Sequence, residues 1–137
     1  MSAATDYLEQ SLGNHLLRSS TFPKPSSLYI GLFTAMPISD NGTGGIEVSG
    51  NGYARVQIAC QDSNWSAPVG GDGTFKNLNA IVFPQPTDTW GTVIGCGFFD
   101  SASSGNLLMI GTLSAPKEIG PLYIPIFPLN AIRVIID

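Results

Sequence analysis

Charge is what this chain lacks most. Only 12% of its 137 residues are Asp, Glu, Lys or Arg, about half the ~25% share usual in soluble domains. The basic residues, Arg18, Lys24, Arg55, Lys76, Lys117 and Arg133, are scattered, and ten carboxylates bring the net charge to −4. A nucleic-acid surface needs clustered cations to displace counterions from phosphates, so no nucleic-acid partner is expected. Histidine is nearly missing, since His15 stands alone. Two cysteines, Cys60 and Cys96, neither in a Cys-x-x-Cys pair, do not supply the donors of a zinc site or a disulfide framework. Buried free thiols are the expectation. No apolar run reaches the roughly 20 residues of a membrane-spanning helix, and the first residues lack the layout of a secretion signal. No membrane partner and no cofactor are therefore expected.

What the chain does have is apolar residues, at 43%, punctuated by 16 Gly and 10 Pro. A disordered chain would be charge-rich and poor in apolar residues, so many short elements joined by turns are expected instead. Asp6 to Arg18 is predicted as the one helix. Leu8, Leu12 and Leu16 form a narrow stripe at i, i+4 and i+8, and Asp6 with Glu9 resembles a capping box. Gly13 weakens its interior by about 1 kcal/mol against Ala, so this helix should depend on packing. Pro23 and Pro25 end helical character.

Strands are predicted at Leu28 to Thr34, Tyr53 to Cys60, Leu78 to Phe83, Trp90 to Asp100, Asn106 to Leu113, Leu122 to Phe127 and Ala131 to Ile136. Leu28 to Thr34 is apolar on both faces, which predicts burial on both sides. Pro37 to Asn51 reads as a loop rich in turn residues, Pro116 to Pro121 as a connection, and Gly91, Gly95 and Gly97 as bulges or close backbone approaches. About seven strands crowded together without intervening helices predict an antiparallel β-sandwich with one short N-terminal helix. The expected organisation is one domain over 1–137, with a helical arm over 1–20 and the sandwich over 26–137.

Catalytic patterns are sparse. No Gly-x-Ser-x-Gly elbow accompanies His15. Asp62, Asp72, Asp88 and Asp100 sit beside Gly, Ser, Asn or Thr, where Asp usually serves a turn. The Gly-rich stretches lack the Lys-Ser/Thr of a phosphate loop, and Asp40-Asn41-Gly42 lacks the alternating ligands of a calcium loop. No catalytic residue is expected. Trp65, Trp90, Tyr53 and Tyr123 could stack on sugar rings, Trp65 being the glycan contact of the alternative reading, against the usual use of such rings as buried area.

Several pieces carry a resemblance when read in order: Thr5-Asp6-Tyr7-Leu8-Glu9, Leu28-Tyr29-Ile30-Gly31-Leu32-Phe33-Thr34-Ala35-Met36-Pro37 and Glu47-Val48-Ser49-Gly50-Asn51-Gly52-Tyr53-Ala54-Arg55. Val82-Phe83-Pro84, Trp90-Gly91-Thr92-Val93, Gly97-Phe98-Phe99-Asp100, Gly105-Asn106-Leu107-Leu108 and Ile136-Asp137 follow. Together they resemble a family of short tailed-bacteriophage proteins labelled tail-fibre or minor structural proteins. The resemblance implies a virion component, assembled in the host bacterial cytoplasm, with no catalytic residues to carry over.

Depletion of Lys, Glu and Asp is also the mark of interface cores. The expectation is thus a homo-oligomer, a dimer or trimer, docked onto virion proteins such as the major capsid protein or tail proteins. The predicted contacts are Leu8, Leu12 and Leu16 on the helix and Tyr123, Ile124, Ile126 and Phe127 in the Pro-rich stretch. A compact sandwich suits tiling, which favours a capsid decoration or cement protein; the alternative is a tail-fibre or baseplate module that binds a receptor or carbohydrate.

Overall fold

The computed structural model describes residues 2–38 and 41–136. Asp40 of the weighed calcium loop and the terminal Asp137 lie outside the described residues. The fold is mainly β and antiparallel, with one helix near the N-terminus. In chain order the elements are β1 (Ser2–Ala4), α1 (Asp6–Leu17), β2 (Ser27–Ala35), β3 (Ile46–Glu47), β4 (Val56–Ala59) and β5 (Thr74–Lys76). They continue with β6 (Ile81–Val82), β7 (Gly91–Phe99), β8 (Leu107–Ile119), β9 (Ile126–Phe127) and β10 (Arg133–Ile135).

One six-stranded sheet runs β1-β8-β7-β2, and β3 and β4 share the far edge of β2. The second layer is formed by two ribbons, β10-β5 and β6-β9, rather than by a second full sheet. The register explains the layering. Ile30 stands opposite Phe98 and Leu32 opposite Cys96, and these side chains face a core shared with Ile81, Phe83, Trp90, Val93, Ile119 and Ile132. The intervening residues pair Gly31 with Gly97 and Phe33 with Gly95 on the opposite face. That face is covered too, since Phe33, Phe99, Leu108 and Ile110 are all buried. The two apolar faces of β2 thus correspond to two covered sides.

Among the described residues there are ten strands rather than about seven. The additional ones lack an alternating apolar pattern. Ser2-Ala3-Ala4 pairs only because the edge of β8 is there to receive it, and Ile46-Glu47 lies within the segment read as a loop. Thr74–Lys76 flanks a glycine turn. β8 runs straight through the predicted Pro116 connection, because its partner β7 skips from Val93 to Gly95 while β8 advances from Lys117 back to Thr112. That irregularity tolerates a proline with no N–H to give.

Helix α1 departs from its predicted cap. Thr5, not Asp6, is the N-cap residue, and its side chain makes no capping bond. The hydroxyl instead donates to the carbonyls of Leu107 at 2.6 Å and Leu108 at 3.2 Å, fastening the start of the helix to β8.

Candidate functional site

The strand β2 cannot be fully paired along its outer edge. β4 takes Ser27 to Ile30 and β3 takes Phe33 and Ala35, which leaves a gap at Gly31 and Leu32. A buried backbone amide without a partner is costly. Here Leu32 N–H donates to the hydroxyl of Tyr53 at 3.0 Å, and Leu32 C=O accepts from Val48 N–H at 3.0 Å. The Tyr53 hydroxyl in turn donates to Glu47 Oε2 at 2.7 Å.

Glu47 also binds Arg55 as a two-point fork: Arg55 Nε to Oε2 at 2.9 Å and Nη2 to Oε1 at 2.8 Å. The remaining guanidinium nitrogen, Nη1, donates to the carbonyls of Ser101 at 2.8 Å and Ser104 at 2.9 Å. The planar cation lies 3.4 Å from the centre of the Phe99 ring, a stacked cation–π contact. One arginine therefore ties the β3–β4 connection to the turn between β7 and β8. Side-chain exposure is 8% for Arg55 and 23% for Glu47, so the pair is largely out of water. Burial foremost, and then the Glu47 carboxylate accepting its O–H, hold the Tyr53 phenol far above its ordinary range.

Gly31 is what makes room. A Cβ there would lie 2.9 Å from Glu47 Oε2, 2.9 Å from Phe99 Cε2 and 3.0 Å from the Tyr53 hydroxyl. The segment Gly50-Asn51-Gly52 turns the chain with all three residues at positive φ and brings Tyr53 back over β2. Asn51 C=O accepts from Trp90 Nε1 at 2.9 Å, which locks that turn to the core. Farther along, buried Asn77 stitches the ribbons together. Its amide donates to the carbonyls of Asn79 and Pro128 and accepts from Ile132 N–H, each at 2.9 Å.

The outer surface is different in kind. No residue of α1 is buried; Leu16 is 77% and Leu17 88% exposed. On the second layer Val82 and Ile126 stand opposite each other and both face out. Leu122, Tyr123 and Ile124 are exposed beside them in sequence.

Residues 3–134 match the family described as podophage GP4 fiber I protein gp80. The chain belongs to that family. It is therefore a phage fibre-type structural protein and a virion component. No curated protein matches it. Among the described residues no helix is long and apolar enough to cross a membrane.

In this fibre-family chain the residues expected to meet partners have two fates. Leu12, Leu16, Tyr123, Ile124 and Ile126 lie at the surface. Leu8 is half-buried, and Phe127 packs inward, 6.1 Å edge-on from Phe83. Trp65 is half-buried with its ring 5.8 Å edge-on from Phe98, at the rim of the core. His15 Nδ1 accepts from Phe22 N–H at 3.2 Å, closing the turn after the helix. Asp72, Asp88 and Asp100 each accept a nearby backbone N–H, the turn role their neighbours suggest. Cys60 and Cys96 are free and partly buried, and burial pushes the Cys96 thiol up to about 11.

The clamp of Glu47, Tyr53 and Arg55 is the group that sequence reasoning missed. Arg55 reads as the polar side of a strand when only alternation is considered. Its signals were a glycine in the middle of an otherwise apolar β2, which marks close approach, and one of very few cations placed beside a tyrosine.

Proposed function

We propose that this fibre-family chain is a non-catalytic assembly module of the phage fibre, joined to copies of itself and to neighbouring virion proteins by exposed apolar side chains. The observation that carries the proposal is the exposure of Leu12, Leu16 and Leu17 on α1, together with the outward Val82 and Ile126, in a chain with so little charge. Exposed apolar side chains gathered on defined elements are the mark of interaction sites. The tiling argument favoured a capsid cement protein, but the match to a fibre family supports the fibre placement over the capsid.

Copy number per purified particle tests placement. A handful of copies is the expected result, whereas hundreds would put the protein on the capsid shell. Light scattering of the purified chain tests self-association, with a dimer or trimer expected.

A further inference from the structure

We propose that the N-terminal arm, β1 with α1, is exchanged between copies, so that each arm docks on the β8 edge of a neighbour; this rests on the self-association reading above. The contact to be exchanged is already formed within the chain. β1 pairs antiparallel with β8, with Ser2 opposite Gly111, Ala3 opposite Ile110 and Ala4 opposite Met109. Thr5 adds its N–H to Leu108 C=O at 2.9 Å and its hydroxyl to Leu107 and Leu108. A second copy offers an identical edge. Exchange of such an element keeps every bond of the closed form and is a low-cost route to an oligomer.

Three features point to exchange rather than closure. The first is the hinge. Among the described residues, the bonds from Arg18 to Pro25 stay inside this segment: Arg18 N–H to Asn14 C=O, Phe22 N–H to His15 and Lys24 N–H to Phe22 C=O. The chain first joins β4 at Ser26, whose carbonyl accepts from Cys60 N–H at 2.9 Å. Fully extended, Arg18 to Ser26 reaches roughly 30 Å, enough to carry the arm to an adjacent copy. The second is Pro23 and Pro25, which stiffen this stretch in extended form and oppose a tight return. The third is α1. A helix of its length is marginal alone in water, and closure on its own chain buries none of its residues. At a junction between two copies, Leu12, Leu16 and Leu17 would be covered.

Disulfide trapping tests the exchange. Ala4 and Met109 stand opposite each other, one step from the bonded pair Thr5–Leu108, so theirs is a non-bonded position with Cα atoms about 4.5 Å apart, within disulfide range. Two differently tagged full-length chains, one Ala4→Cys and one Met109→Cys, are co-expressed and oxidised. The expected result is a mixed dimer on a non-reducing denaturing gel, absent when both chains are wild type at these positions. The double variant Ala4→Cys/Met109→Cys should run as covalent multimers. Double-variant protein that stays at monomer mass overturns exchange, whether or not its thiols are consumed. Light scattering of the wild-type chain separates the two readings and needs no variant. A monomer ends both, while an oligomer whose cross-links stay within chains ends the exchange alone.

Discussion

The clamp under β2 and the arm before it use polar and apolar side chains in opposite ways. Around Gly31 a carboxylate, a phenol and a guanidinium are drawn out of water, and each bonds to a partner inside the fold. In α1, Leu12, Leu16 and Leu17 are held in water, and only Leu8 at the start of the stripe is half-covered. Bonding within one molecule leaves nothing to attract a partner; exposed apolar area does, because covering it is favourable wherever the cover comes from. The clamp is thus complete by itself and the arm is not. Each experiment below tests that asymmetry by asking how much stability the single chain loses.

The largest loss should come from Glu47→Ala. It strands the Arg55 guanidinium, whose side chain is only 8% exposed, and removes the acceptor of the Tyr53 hydroxyl. Breaking a buried pair from one side costs about 3–5 kcal/mol, to be read as a lower urea midpoint at unchanged slope. Arg55→Ala should cost less on the ionic side, since Glu47 reaches water more easily, but it also releases the carbonyls of Ser101 and Ser104. A double-mutant cycle on the two positions separates the pair from those added bonds. A cost below about 1 kcal/mol, the level of an exposed pair, would show the clamp to be surface-like.

Gly31→Ala follows, at about 1–3 kcal/mol from overpacking, because the new methyl meets Glu47, Phe99 and Tyr53 together. The same substitution at Gly13 meets nothing within 4 Å and should stabilise the helix slightly. Opposite signs for one chemical change, measured by thermal melts, would place the packed and unpacked regions directly.

Much of this body was legible from residues. Its long strands, β2, β7 and β8, carry the apolar patterns that place them, and Gly95 of β7 stands at one of the two shifts in its register with β8. The short strands were not legible. Ser2-Ala3-Ala4 and Ile46-Glu47 have no alternation of their own and exist because a long strand left an edge free. The clamp was hidden for a related reason. Glu47 and Arg55 lie eight residues apart in sequence, and what unites them is a ladder gap that appears only once β3 and β4 divide the edge of β2 between them. Charge counting gave scarcity, not pairing. The helix was legible as a helix, but its cap was not, because Thr5 spends its hydroxyl on β8 instead of on α1.

Alkali should weaken the body by a smaller, graded amount. Tyr53 and Cys96 both hold their protons more tightly when folded than when unfolded. The unfolded chain therefore releases them first as pH rises, which favours unfolding. Stability is unaffected by these groups below about pH 8; it then declines as the unfolded thiol ionises and continues to fall until pH reaches the folded Cys96 value of about 11. Tyr53 adds to the decline above about pH 10. In thermal melts across that window, Cys96→Ala should delay the onset of the decline, and Tyr53→Phe should reduce its upper part.

The smallest effect on the single chain belongs to the arm. Leu16→Lys replaces a side chain that is already 77% exposed, and surface substitutions of this kind stay within about 0.5 kcal/mol. The urea midpoint of the isolated chain should barely move. Association should respond very differently, because a lysine placed in an apolar contact must lose its water or break the contact. The two readouts, unfolding at low concentration and mass by light scattering at high concentration, should therefore come apart for Leu16→Lys and move together for Glu47→Ala. If Leu16→Lys instead lowered the midpoint of a monomer by as much as a core substitution, α1 would be packed on its own chain in solution. The arm would then be as complete as the clamp, and the contrast between them would fail.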